Sequence, residues 1–115
     1  MSAAALLASD QAGACPLQIT GQTVPHGIVS QALLSAPGLR ATLFNFAAGQ
    51  ELSEHTSTAR VLVQVMSGRC EFSIEGQPRV LTPGELLHLP PSTPHAVRAL
   101  EDMTLLVIQG MPPKE

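Results

Sequence analysis

An all-β barrel or sandwich is the fold this sequence predicts, and three features predict it. Turn-forming residues recur at intervals of about ten, at Pro25-His26-Gly27, Pro37-Gly38, Ala48-Gly49, Ser67-Gly68, Gly76-Gln77-Pro78, Pro83-Gly84, Pro90-Pro91-Ser92 and Glu101-Asp102, the rhythm of short strands joined by turns. Cys70, Phe72 and Ile74 alternate with Glu71, Ser73 and Glu75, so one face of that segment is apolar and the other wet. Beyond the first dozen residues, no useful length of chain has the apolar period of an amphipathic helix.

Residues 1–15 are expected to form an N-terminal extension, either frayed or a short helix, ahead of a single barrel domain over residues 16–115. The apolar run at residues 3–8 is short and lacks the basic flank of a secretory signal. The turn residues then leave strands at 28–34, 39–47, 61–66, 70–75, 85–89, 95–100 and 103–109. Segment 61–66 stands apart because, Gln64 aside, it is apolar on both parities. That is the mark of a strand buried on both sides. Val61, Val63 and Val65 would line the barrel, while Leu62 and Met66 would meet the second sheet or a partner subunit. Ten Pro and nine Gly are spread along the chain as turn punctuation, so no linker divides it.

A chain of 115 residues has room for one core, since folding at this size buries roughly two thirds of the unfolded surface. Charged residues make up 13%, against about 25% in ordinary soluble domains. Little polar material is left to coat a free surface, and a homodimer is expected. The formal net charge is −3, with six Lys plus Arg and no basic cluster, which argues against a nucleic-acid footprint. Cys15 and Cys70 make no disulfide framework. No apolar run approaches the ~20 residues of a membrane helix, so a cytoplasmic location with no membrane partner is expected. No glycine-rich loop joins a strand to a helix, and nucleotide handling has no support.

Two spaced frames carry the functional information. Gly49 is followed after five residues by His55-Thr56-Ser57, after three more by Val61, and after six more by Gly68. Gly84 is followed after five residues by Pro90-Pro91-Ser92, after two more by His95, and after three more by Ala99. The pair resembles the two motifs of the cupin family, Gly-x5-His-x-His-x(3 or 4)-Glu-x6-Gly and Gly-x5-Pro-x-Gly-x2-His-x3-Asn. The resemblance implies an all-β jelly roll, the double-stranded β-helix of a cupin barrel, whose mouth is a natural ligand site. In that family the two His and the Glu of the first motif meet the His of the second on one metal ion. His55 and His95 stand where that pattern has ligands. Ser57 takes the place of the second His, Val61 that of the Glu, and Ala99 that of the Asn.

Imidazole ligates Zn, Fe, Mn, Ni or Cu, so the resemblance implies one divalent transition metal on His55 and His95, or none. Two His fall short of the three protein ligands a catalytic metal usually takes. Weaker candidates for a further donor are His88, Cys70, Glu51 and Glu54. Cys70 shares a face with Phe72 and reads first as a small buried hydrophobe. His26 and Glu85 read as turn residues, and Arg60 as a surface residue within reach of an acid at the barrel mouth. The ligand pocket would be lined by Phe44, Phe46, Ser57, Val61, Val63, Phe72 and Leu87, with strand facing open by one residue.

Two functions on a small-molecule ligand fit these residues. One is metal-assisted chemistry on a small organic acid or ring compound, of the dioxygenase, isomerase or decarboxylase type. The other is capture of a small ligand by a metal-free sensory or carrier barrel without catalysis. A barrel kept as an interaction module is a third reading. The chain has no Tyr, which disfavours the His–Tyr acid–base chemistry of metal-free cupin epimerases. Nothing marks an orienting acid for a Ser-His-Asp triad at Ser57.

Overall fold

Alternating side chains and frequent turns convert most of the chain into strand. The computed structural model describes residues 5–18 and 27–111; His26 and its expected turn fall outside them. Among the described residues nine strands run in order: β1 (Ile28–Ala36), β2 (Leu39–Phe46), β3 (Glu51–His55), β4 (Arg60–Ser67), β5 (Cys70–Ile74), β6 (Gln77–Leu81), β7 (Leu86–Leu89), β8 (His95–Ala99) and β9 (Met103–Gly110). They form two sheets, ordered β1-β2-β9-β4-β7 and β3-β8-β5-β6, antiparallel at every pairing. This is the all-β jelly roll that the motif resemblance implies, and the seven expected strands lie within two residues of their predicted ends.

β3 and β6 run through segments that carry no strand signal. Every residue of β3 is exposed, and in β6 only Leu81 is buried. Both lie at the edges of the four-stranded sheet, where a strand needs no apolar face of its own and tolerates a proline such as Pro78. The turn expected at Gly76-Gln77-Pro78 therefore closes earlier. It is the two-residue loop Glu75-Gly76, with φ of 51° and 80°, the hairpin geometry that matches the twist of its flanking strands.

The two sheets enclose one core. Val61, Val63 and Val65 point into it and are 5%, 2% and 1% exposed. Facing them across the barrel are Cys70, Phe72, Val97 and Ala99 from the other sheet. Leu62 and Met66 do not pack against that second sheet. They stay half-buried outside the lumen cluster: the two-residue period of a strand turns Leu62 to the outer face, and Met66 sits at the register shift between Val65 and Ser67.

The described part of the N-terminal extension contains turns and bends and no helix. The backbone N–H groups of Leu6 and Leu7 donate to the carbonyls of Ala32 and Leu33, at 3.1 and 2.8 Å. These bonds lie at the irregularity in β1 between Ala32 and Leu34, so the edge strand satisfies the extension's donors where a helix would have satisfied its own.

Candidate functional site

The two histidines meet because their strands are neighbours in register. β3 pairs with β8, and His55 stands directly opposite His95, with ring centroids 4.2 Å apart and planes inclined at 59°. The loops that carry the two motifs are also tied together, since the Ser92 N–H donates to the Ser57 carbonyl at 2.7 Å. Ser92 holds φ at 64°, a left-handed conformation that glycine adopts without strain. This is the position where the resembling motif has Gly.

Each imidazole is oriented by the backbone. His55 Nδ1 lies 2.9 Å from the Ser53 carbonyl and His95 Nδ1 lies 2.8 Å from the Thr93 carbonyl. A carbonyl only accepts, so Nδ1 carries the proton in both neutral rings and Nε2 keeps its lone pair. Among the described residues no buried side-chain polar atom is sealed off without a partner. The Nε2 of His95, which no group among the described residues bonds, is therefore open to solvent, and His95 lines the lumen cavity. His95 is also stacked on Phe72, with centroids 5.9 Å apart and planes within 10°.

Burial holds the His95 imidazole below its ordinary pKa, opposed by the Thr93 carbonyl and assisted by the neighbouring His55. The neutral ring is the form this pocket favours. Below about pH 6.5 the unfolded chain then binds more protons than the folded one, so stability falls with pH through that range. We expect the urea midpoint to drop between about pH 7.5 and pH 5.5, and His95→Gln to flatten the drop. A profile as steep in the variant as in the wild type would remove this assignment.

A cavity of about 180 Å³ opens beside the two rings. Of the side chains expected to line it, Phe44, Phe46, Ser57, Val61, Val63 and Phe72 do so, together with His55 and His95. Leu87 does not. It pairs with Val63, one step deeper than the Leu89–Val61 pair, and is packed into the core at 4% exposure, while Leu89 takes the lining position. Leu52, Val97, Leu105, Val107 and Gln109 also line the cavity. The β9 residues were legible from the alternation of Met103, Leu105, Val107 and Gln109. Leu52 was not, because a register shift between Leu52 and His55 brings residues an odd number apart onto one face.

The Cupin domain family model matches residues 42–109, more than half of the chain. The chain is a cupin. Among solved structures, a cupin 2 conserved barrel domain protein from Leptotrichia buccalis is 31% identical with a TM-score of 0.74, over 78% of this chain and 44% of that one. A conserved protein of unknown function from Streptococcus pyogenes is 27% identical with a TM-score of 0.73, over 77% of this chain and 78% of that one. The DMSP lyase DddQ from Ruegeria pomeroyi is 26% identical with a TM-score of 0.68, over 76% of this chain and 49% of that one. This cupin thus spans about half the length of the first and last of these. A search of curated proteins found no match.

The metal that the cupin fold implies can be tested against the donors present. Among the described residues no group of three His, Cys, Asp or Glu is placed to hold an ion. His88 faces outward, where its Nε2 accepts from the Arg60 guanidinium at 2.9 Å, so neither residue serves the lumen of this cupin. Cys70 is buried in the core, and burial pushes its thiol up to about 11. Glu51 and Glu54 are exposed on β3 and do not line the cavity. Glu85 is held by the Thr82 N–H and hydroxyl, at 2.9 and 3.0 Å, which lower its pKa and lock a turn. Among the described residues, two imidazoles and no lining carboxylate fall short of a catalytic centre with three protein ligands.

Proposed function

We propose that this cupin captures a small, largely apolar molecule in its lumen and holds the polar end of that molecule against His55 and His95. The observation that carries the reading is the lining itself. Among the described residues it contains the His55 and His95 imidazoles, Ser57 and Gln109, and otherwise apolar side chains, with no Asp, Glu, Lys or Arg. Such a surface binds through apolar burial and is oriented by a few polar atoms. The test is a small-molecule screen followed by imidazole NMR signals, on protein purified without an affinity tag and analysed for its metal content. The reading expects binders that shift the His55 and His95 signals after chelator treatment. Binding that disappears with the chelator would overturn it.

A second reading, metal-assisted chemistry on a small substrate, is favoured by one specific feature. Both Nδ1–H groups are bonded to carbonyls, the outer bond that commonly orients metal-ligating histidines. The similarity to a DMSP lyase supports chemistry of that general kind. Val61→Glu would place a carboxylate at the family's ligand position, on a side chain that lines the cavity. On this reading it strengthens Zn or Mn uptake, and affinity declines as acid protonates the imidazoles. No gain in uptake would leave the metal-free barrel in front.

The proposed assembly is a homodimer through the outer face of the five-stranded sheet. His88, Leu62, Ile108, Ala41 and Leu34 form one row across all five strands, and Leu86 nearby is 67% exposed. An apolar face of this kind is a contact surface by its composition. Light scattering at micromolar concentration is expected to give the dimer mass for the natural chain and the monomer mass for Leu62→Glu. A monomeric natural chain would end the proposal. Cys15 and Cys70 are both free, which suits a reducing compartment such as the cytoplasm. Among the described residues no helix is long and apolar enough to cross a membrane.

A further inference from the structure

The polarity of the lumen runs along the strands. His55 and Ser57 lie just before β4, and Val61 at its start stands opposite Gln109, while His95 opens β8 opposite His55. The polar lining residues therefore gather at one end. The other end is closed by pairs such as Phe46–Met103 and Cys70–Ala99, whose members are all buried. A ligand enters this gradient with its apolar end first and leaves its polar group beside the imidazoles.

The chemistry of those imidazoles restricts the polar group. Each spends its one N–H on a backbone carbonyl, so each neutral ring keeps an Nε2 lone pair and has no second N–H to donate. Two acceptors side by side are complementary to a hydrogen-bond donor and unfavourable to a second acceptor. Ser57 Oγ accepts from the Ala59 N–H at 3.1 Å, which leaves its hydroxyl proton unspent. Among the described residues no cationic side chain lines the cavity to neutralise a carboxylate, and placing an unpaired charge there is costly. Size narrows the class further. The cavity of about 180 Å³ is close to the ~150 Å³ apolar cavity that holds benzene in an engineered protein.

We propose that the ligand is a single-ring or similarly compact molecule that presents a neutral hydroxyl, phenolic or alcoholic, to His55 Nε2 and His95 Nε2, in preference to a carboxylic acid. The inference rests on the capture reading above and narrows its small, largely apolar ligand to hydroxyl donors.

Phenol, anisole, benzoate and toluene make the test, because they share the ring and differ at the head group. Binding is measured by titration of the His55 and His95 ring signals in chelator-treated protein at about pH 7.5, where free imidazole is neutral. Phenol is expected to bind at least tenfold more tightly than anisole and benzoate, the usual effect of leaving a buried polar group without its partner. In His55→Leu the preference of phenol over anisole is expected to shrink or vanish. Equal affinity for anisole, or preference for benzoate, overturns the donor assignment and leaves capture standing. If none of the four moves the ring signals, capture and the donor assignment fall together. The comparison on the natural chain decides the proposal even if His55→Leu does not fold.

Discussion

Phe72→Ala is expected to lower the unfolding free energy by about 3–5 kcal/mol, the usual cost of deleting a packed aromatic ring. Phe72 is 3% exposed and belongs to the lumen cluster. It stands opposite Val97 on β8 and lies parallel to the His95 ring. Removing it takes apolar surface out of the core and leaves a void that the sheet backbone cannot close. With total stabilities of about 5–15 kcal/mol for native domains, the variant would be marginal. Urea unfolding followed by circular dichroism measures the effect. A loss below about 1 kcal/mol would mean that the ring faces water and that the register of β5 is wrong. The same substitution widens the cavity beside His95, so any captured ring should bind less tightly in the variant as long as it remains folded.

Gly68→Ala should cost about 2–5 kcal/mol, through two effects at one position. Gly68 has φ of 79°, where a Cβ costs roughly 1–2 kcal/mol. A Cβ there would also collide with the Asp102 carbonyl oxygen and come within 2.7 Å of the Met103 Cβ. Met103 is 2% exposed and cannot swing away, so forced repacking adds about 1–3 kcal/mol. Gly38→Ala separates the two contributions. Gly38 has φ of 81° and nothing within 4 Å of its Cβ position, so only the backbone cost of roughly 1–2 kcal/mol applies. Equal destabilisation at both glycines would show that the turn after β4 yields more readily than its packing suggests.

Gly68 also explains why one frame was readable in sequence. The glycine that ends the first motif fits a left-handed turn pressed against another strand, a requirement met by one residue type. His55 and His95 were legible through the resemblance of their two frames to the cupin motifs, in which the glycines set the spacing to the ligand positions. The inward rows Val61, Val63, Val65 and Cys70, Phe72 followed from the two-residue period. Each of these signals is local. It survives in the sequence because backbone geometry demands it wherever the strand ends up.

Leu52, Leu87, β3 and β6 were decided only by the assembled barrel. A register shift in β3 turns Leu52 and His55 to the same side, and a bulge of that kind has no fixed residue signature here. Leu87 and Leu89 share a parity, so depth along β7 chose between them. β3 and β6 are strands because partners supply their hydrogen bonds, with no apolar pattern of their own. The sequence by itself determined the succession of strands and their inward faces, since period and turn chemistry act over a few residues, while the jelly roll and the meeting of the two histidines followed from its resemblance to the cupin motifs. The packed sheets alone decided which imidazole nitrogen remains free, that His88 pairs with Arg60 outside the lumen, and that no third donor among the described residues stands beside His55 and His95. Those outcomes depend on residues distant in sequence meeting in space, and no local pattern encodes that meeting.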